Sequence, residues 1–379
     1  MMFGENCSRV AQPCVVQVRI QRHQQTAPRS GVPSSFLVSI HEEASVITWQ
    51  RAITIKPEVE QQLVDGVAQL HTWSLGLGDS AKHAAKSAKD LGRRLRDNFL
   101  GDEGLAVLNA LKPSALLLEV DETILSLPWE LLFDADDRLY AINVPTGRVV
   151  TTRTAPTDRR DSLSDDAEIT ILVLAPAAAD LASVDGEVDA IAALAGDYDR
   201  VRLNVDVLRG DHATLAGLAA AVKGQSVEIL HVAAHGRFDK KAGALRLGDG
   251  WFDAAQVATL EWSAPPYLVF GSACESARAA PGKRLLSRGR ASGLASAFLA
   301  RGTDAYLGHF WPVGDINAAL FAQTFYETLF GARNVGQAVY QARRAVSGAF
   351  EERVDLTAVG AVFFGDSGTA ERADFAMAE

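Results

Sequence analysis

The sequence has 379 residues, of which 48% are hydrophobic and 22% are charged, a composition that fits folded globular domains and excludes a mainly disordered chain. Length alone sets two or three domains as the starting expectation. The net charge of −10 argues against non-specific binding to nucleic acids or anionic membranes. Apolar runs are shorter than the ~20 residues of a membrane span, and the first residues lack the pattern of a signal peptide.

Three cysteines are present, Cys7, Cys14 and Cys274. An odd number without a CxxC pair indicates neither a disulfide framework nor a cysteine zinc site. We therefore expect a protein of the reducing cytoplasm.

The first part of the chain is predicted to be β-rich and the next part helical. Three segments rich in Val, Ile and Thr predict strands, at 15–21, 34–40 and 45–55. From Pro57 the apolar spacing changes to that of helices, with a second helix over 80–100. We predict that residues 1–55 form a small β-rich appendage outside the catalytic core, which contacts a partner or a substrate. The alternative is that they extend the sheet of residues 114–152.

The middle of the chain again has the sequence pattern of β-strands, and a polar stretch follows it. Residues 56–112 are assigned to the helical region. Residues 113–153 are assigned to a β-rich pre-catalytic segment because they contain four strand-like segments: ALLLEVD, TILSLPWELLFD, LYAINVP and RVVTTR. Residues 154–168 contain Pro, Asp and Ser and predict a surface linker.

After residue 168, apolar strands alternate with helices. Strands that are apolar on both faces and separated by helices predict a mostly parallel sheet covered by helices on both faces, the α/β class. We assign residues 169–366 to this core and residues 367–379 to a tail.

Chemistry in such a sheet lies beyond the carboxyl ends of the strands. That rule selects His235, Cys274 and Asp315, each of which follows a predicted strand. Small residues surround the first two, so a peptide backbone can approach closely. A cysteine becomes a nucleophile when a base or positive field stabilises its thiolate. The backbone N–H groups of Gly236 and Cys274 would supply the oxyanion site that acyl transfer needs.

Other sequence features are weaker evidence for a function. A single Cys or His at a strand end is more often a core residue, and only the pairing of His235 with Cys274 favours a catalytic role. His231 and His235 are four apart but lie in a strand, where they stand too far apart to share an ion, so His231 is predicted to be structural. No metal site, phosphate-binding loop or cofactor motif is indicated.

Several motifs in one order resemble the CHAT domain family, caspase-like clan CD cysteine peptidases related to separase. A strand ends in His235-Gly236 within HVAAHGRFD, and another ends in SACES around Cys274. The helix SGLASAFLARG then leads to a strand that closes in Trp311-Pro-Val-Gly-Asp315. The later FAQTFYETLFG and VGQAVYQARRA and the earlier ILSLPWELLFDADDRLYAI also match, so the likeness covers about residues 80–366.

The resemblance implies a caspase-like fold in which His235 is the general base and Cys274 the nucleophile. The two are 39 residues apart, against about 50 in caspases, and the QAC[RQG]G signature of caspases is absent. By similarity to separases, Asp315 would line a pocket for a basic side chain, with Trp311 as an apolar wall and Glu275 as a rival carboxylate. The alternative for Asp315 is that it caps the helix that follows it.

The function that follows is a cysteine endopeptidase that cleaves a specific protein after Arg or Lys. The family context implies that a partner or signal activates it, in a bacterial immunity or cell-death system. Its expected partners are a protein substrate and an activating or regulatory protein; no nucleic acid, membrane or cofactor is expected. The loop 278–290, rich in Arg and Lys, is predicted to be mobile, with self-cleavage there as the alternative. Two other function classes stay open: a protease-like scaffold or sensor that acts by binding, and a different hydrolase or transferase on an α/β sheet that uses a cysteine nucleophile.

Overall fold

The computed structural model describes residues 14–22, 33–43, 45, 48–74, 80–151, 167–178, 181–198, 201–239, 243–279, 293–332, 334–353 and 355–365. One twelve-stranded sheet runs through the molecule, and a separate three-stranded sheet lies beside it. The strands of the first half of the chain are β1 (Val15–Arg22), β2 (Ser34–Glu42), β3 (Thr48–Ile55), β4 (Ala115–Asp121), β5 (Thr146–Thr151), β6 (Ala167–Ala175) and β7 (Gly196–Tyr198). Those of the second half are β8 (Val201–Arg209), β9 (Ile229–Ala233), β10 (Gly236–Phe238), β11 (Gly243–Leu247), β12 (Gly250–Asp253), β13 (Leu268–Ser272), β14 (Ala305–His309) and β15 (Ala361–Phe364).

Helices cover both faces of the large sheet. In chain order they are α1 (Pro57–Ser74), α2 (Ser80–Phe99), α3 (Gly101–Leu111), α4 (Tyr140–Asn143), α5 (Val184–Ala192), α6 (Leu215–Gly224), α7 (Ala254–Thr259), α8 (Leu294–Ala300), α9 (Asp315–Ala332), α10 (Val335–Arg353) and α11 (Thr357–Gly360). One apolar cluster packs α1, α2, α3, α6, α7 and α8 on the first face. A second packs α5, α9 and α10 on the other face. No helix in the described part of the chain has both the length and the apolarity that crossing a bilayer requires.

The sheet order is β3-β2-β1-β4-β5-β15-β14-β13-β9-β6-β8-β7. Most neighbours are parallel, including β6 with β9, β9 with β13 and β13 with β14. Every side chain of β9, β13 and β14 is buried, as expected of parallel strands covered on both faces. The predicted α/β class with a mostly parallel sheet is confirmed.

The N-terminal strands belong to this same sheet. Strand β1 pairs in parallel with β4, and β2 and β3 follow it outward as antiparallel neighbours. The prediction of a separate appendage is therefore wrong, and the alternative describes the molecule: these strands extend the sheet of residues 114–152. The physical reason is that alternate residues of β1, such as Val16 and Val18, are buried in the core shared with α2 and β4.

The segment between β4 and β5 does not form the strands that its apolar sequence pattern predicted. It forms two 3₁₀ turns, Glu122–Ile124 and Trp129–Leu131, and the short helix α4. Residues 124–134 are buried throughout, and continuous burial gives the same apolar pattern as a strand covered on both faces. Pro128 also lacks the N–H that a sheet ladder needs.

A buried ion pair anchors this segment. Glu130 and Arg148 are 1% and 0% exposed, and the Arg148 Nε donates to Glu130 Oε1 at 2.8 Å. We expect Arg148→Met to lower the free energy of unfolding by about 3–5 kcal/mol, because it leaves the carboxylate buried without its cation. Chemical denaturation measures this, with Lys223→Met, which breaks the exposed pair with Glu261, as the control. An unchanged midpoint for Arg148→Met would contradict the argument.

The join between β5 and β15 is short. Phe364 is the β15 residue in register with Arg148 of β5, and Gly365 N donates to Arg148 O at 2.9 Å. The fully buried Arg343 of α10 bridges the same two strands by donating to Thr146 O at 2.9 Å and to Ala361 O at 2.8 Å. Burial lowers the pKa of Arg343 to about 10. A buried guanidinium therefore connects the two halves of the sheet.

Candidate active site

The site lies where β9 and β13 end side by side. The two strands are parallel, and Ala233 at the end of β9 is in register with Ser272 at the end of β13. His235 and Cys274 each stand two residues beyond that pair. The topology thus brings these two residues of the sequence prediction to the same edge of the sheet.

Gly236 brings the two chain segments into contact. A Cβ atom at position 236 would overlap the carbonyl oxygen of Cys274 and lie 2.9 Å from its carbonyl carbon. The small residue is needed because the backbone of the cysteine loop itself lies against the residue after the histidine. His235 O accepts a 2.7 Å hydrogen bond from Arg246 N, which makes Gly236 a non-hydrogen-bonded residue of the β10–β11 pair. The Gly236 N–H therefore points away from β11.

The thiol of Cys274 is half-buried, and its acceptor is the Val313 carbonyl, 4.0 Å away. Burial raises the pKa of the Cys274 thiol; the charges of Glu275 and Asp355 also raise it, and backbone hydrogen bonding at Val313 and at Cys274 itself opposes the shift. The described state therefore holds a protonated thiol at neutral pH rather than an activated thiolate.

The raised pKa of Cys274 predicts that its thiol is alkylated slowly at neutral pH and faster at alkaline pH. Below a raised pKa the thiol stays protonated, so alkylation of Cys274 by iodoacetamide should be slower at pH 7 than for a free cysteine. The rate should go on rising at pH values where an ordinary thiol is already ionised. Peptide mapping by mass spectrometry measures it site by site. Glu275→Gln removes one of the charges that raise the pKa and should shift the profile to lower pH. A full rate for Cys274 at pH 6 would contradict the prediction.

Glu275 holds the loop that carries Cys274 in place. Its backbone is in the left-handed region, with φ of 56°, and its side chain is almost completely buried. The carboxylate pairs with Arg278 and accepts a 3.1 Å hydrogen bond from Phe238 N, in the strand that follows His235. Unfavourable backbone angles persist where the surroundings fix them, as these contacts do. The carboxylate is thus occupied by groups of the protein, and binding of a basic substrate side chain by Glu275 stays a prediction.

Helix α1 also reaches this loop. His71 Nδ1 lies 3.5 Å from Glu275 Oε1. Burial, followed by the charge of Arg278, lowers the pKa of His71, and the charge of Glu275 opposes the shift. The helical N-terminal region thus touches the residue next to Cys274, a contact for which the sequence carries no signal.

Ser276 fixes the loop to the sheet. Its hydroxyl donates to Gly271 O at 2.7 Å and accepts from His309 N at 2.9 Å, while Tyr306 OH donates to Ser276 O at 2.8 Å. A Cβ at Gly271 or Gly308 would press on Ser276. Glycine in the middle of a strand marks such a close approach, and it was the signal that would have pointed to Ser276.

Asp315 lies at the start of a helix and is partly exposed, whereas Trp311 lies in the core. Asp315 begins α9 and is half-buried, and its Oδ2 accepts a 2.8 Å hydrogen bond from Ser183 N, ahead of α5. Trp311 is fully buried, against Phe310 and Gly360, so its ring contacts the core in this conformation rather than an open cleft. Trp311 O accepts from Glu275 N at 3.4 Å. Roles for Asp315 and Trp311 in substrate binding stay predictions.

Three further features of the sequence analysis concern His231, metal binding and the loop 278–290. His231 is fully buried, with Nδ1 3.1 Å from Tyr326 OH and Nε2 3.0 Å from Glu187 Oε1, as a structural residue would be. No group of His, Cys, Asp and Glu among the described residues is arranged to hold a metal ion. Of the loop 278–290, only Arg278 and Ala279 are within the described residues, so the prediction about self-cleavage lies outside them.

The fold and this edge of the sheet define a caspase-like α/β protein. Comparison with known proteins identifies the family. The CHAT domain family model matches residues 86–353, so the chain belongs to the CHAT domain family. The structure of the Saccharomyces cerevisiae separase–securin complex at 3.0 Å is similar, with a TM-score of 0.57 and 12% identity. The same complex at 2.6 Å gives 0.54 and 12%. Each match covers 93% of this chain but 30% of the other, so the chain spans less than a third of that protein. No curated protein matches the sequence.

Proposed function

We propose that the protein is a cysteine endopeptidase that cleaves a specific protein substrate after Arg or Lys and is inactive until a partner or signal rearranges its site. The observation that carries the proposal is the close contact of Gly236 with the backbone of Cys274 at the ends of β9 and β13. That contact sets a potential base and a potential nucleophile on adjacent strand ends, which acyl transfer requires.

The proposed reaction is acyl transfer through a thioester. His235 takes the proton of Cys274, and the thiolate attacks the carbonyl carbon of the scissile peptide bond. The N–H groups of Gly236 and Cys274 stabilise the oxyanion. His235 then gives its proton to the leaving amine, and water hydrolyses the thioester to release the second product and free the thiol.

Activation is part of the proposal because the thiol is directed to the Val313 carbonyl and its pKa is raised by burial. A regulatory protein would act by turning the thiol toward His235. By analogy with a separase bound to securin, we expect such a protein partner. The biological setting that the family resemblance suggests is bacterial immunity or programmed cell death.

A protease-like module that acts by binding alone is the second candidate, and the buried, protonated thiol favours it. Peptidyl acyloxymethyl ketones that carry Arg, Leu or Asp before the ketone separate the two. We expect the Arg compound to label Cys274 most rapidly, with mass spectrometry locating the adduct. Failure of all three to label Cys274, with and without the native partner proteins of a cell extract, would refute the peptidase.

Cleavage after a basic residue is predicted to need the charge of Asp315. A guanidinium in a closed pocket requires a carboxylate, and truncating one member of such a pair costs about 2–5 kcal/mol. We expect Asp315→Asn to lower kcat/KM for an Arg peptide by about 30-fold or more. The Asn oxygen can still accept from Ser183 N, so unfolding should change little. Equal cleavage of the Arg peptide by Asp315→Asn would assign the pocket to another residue.

A further inference from the structure

The small sheet beside the site has one buried and one polar face. Strands β10, β11 and β12 pair antiparallel, and Leu245 and Phe252 face each other in the core cluster. Because side chains alternate across a strand, the opposite face carries Arg246, which is in register with Trp251. Arg237 lies on β10 beside them, in register with Ala244.

The two arginines stack on one indole ring. The guanidinium carbon of Arg237 lies 3.9 Å from the centroid of the Trp251 ring, and that of Arg246 lies 5.8 Å from it. Both arginines are exposed, and Trp251 is half-exposed. Stacking on an aromatic face holds a guanidinium in place while its N–H donors remain available.

Two carboxylates close to these cations accept hydrogen bonds from backbone N–H groups. Within the described part of the chain, neither Arg237 nor Arg246 forms an ion pair. Asp253, at the end of β12, accepts hydrogen bonds from Ala255 N and Gln256 N, and Asp249 accepts from Leu215 N. Arg237 and Arg246 are thus two adjacent exposed cations that form no ion pair within the described residues, while the carboxylate of Asp253, on the same face of the small sheet, caps α7.

We propose that Arg237, Trp251 and Arg246, the Arg–Trp–Arg face, bind an acidic segment of a polypeptide. Carboxylates match the guanidinium geometry, and the half-exposed indole offers apolar contact between them. Arg237 is two residues from His235, about 7 Å along an extended chain. The use of this face to capture the acidic flank of a substrate rests on the proposed peptidase function; the binding itself does not.

Fluorescence anisotropy with a labelled peptide of alternating Glu and Gly tests the proposal. We expect it to bind the wild-type chain with an affinity that falls as salt rises, and the same peptide with Gln in place of Glu to bind much more weakly. The double variant Arg237→Gln, Arg246→Gln should weaken binding of the Glu peptide at least about tenfold. The matched control is Arg344→Gln, an exposed arginine near the Tyr340 ring on α10, which should leave binding unchanged.

Several results would overturn the proposal: equal affinity in the double variant, equal binding of the Gln peptide, or binding of a single-stranded oligonucleotide but not of the Glu peptide. Arg246→Glu adds a second readout, since it should favour a Lys-Gly peptide over the Glu-Gly peptide. The peptide contains no basic residue and binding needs no catalysis. Binding without ketone labelling of Cys274 would therefore refute the peptidase alone, and labelling without binding would refute the Arg–Trp–Arg face alone.

Discussion

Cys274→Ala and His235→Ala should each reduce cleavage of the protein substrate to background, at least about a thousandfold below the activated wild-type chain. The physical reason is that nucleophile and base act as one unit, so either loss removes the thiolate attack. The double variant should be no worse than the single variants. Rates are measured on the same substrate after activation, with circular dichroism and the unfolding midpoint as controls for folding.

The control is the other described cysteine. Cys14 is half-buried ahead of β1, where its Sγ lies 3.4 Å from Leu111 O. Cys14→Ser should retain full activity because it is remote in the sheet from β9 and β13. Substantial cleavage by Cys274→Ala would place the nucleophile elsewhere, whereas loss of activity in Cys14→Ser would show that the assay reports stability.

Gly236→Ala is expected to have the second largest effect. The added methyl group has no room beside the carbonyl of Cys274, so the loop that carries the nucleophile must move. A displacement of about 1 Å at a reacting group can cost about a hundredfold in rate, and we expect a loss of that size in kcat/KM. Forcing a methyl group into a packed site should also lower the free energy of unfolding by about 1–3 kcal/mol.

Gly250→Ala provides the matched control, since Gly250 lies in the small sheet and a Cβ there meets no atom within 4 Å. It should cleave at the wild-type rate. Activity of Gly236→Ala close to that of Gly250→Ala would mean that the contact between the two loops is not needed for catalysis.

The position of His235 and Cys274 at one edge of the sheet could be predicted because its signals are local. Strands β9 and β13 are apolar on both faces, and the rule that chemistry lies beyond the carboxyl ends of parallel strands selects His235 and Cys274 directly. The small residues beside them predicted a close backbone approach. The structure shows which backbone this is: the carbonyl of Cys274 itself lies against Gly236.

The rest depends on contacts between distant parts of the chain, for which periodicity carries no information. Ser183 is 132 residues from Asp315, and His71 comes from the N-terminal helices to Glu275. Strand β15 lies between β14, to which it is antiparallel, and β5, to which it is parallel, and this placement follows from none of these elements' own sequences. The buried segment around Glu130 has the hydrophobicity of a strand, and it is distinguished by Pro128, which lacks the N–H of a sheet ladder, and by the pairing of Glu130 with Arg148.

The position of β15 has a consequence for biosynthesis. Residues 361–364 lie between β5 and β14, so the strands made first and the strands that carry the site cannot join until nearly all the described chain has left the ribosome. Such long-range pairing makes folding slow, because the closure of a long loop precedes the contacts that stabilise it. A shortened translation product that lacks β15 leaves β14 with an unpaired edge beside β13, the strand that precedes Cys274. The large sheet is therefore joined only after residues 361–364 have been synthesised.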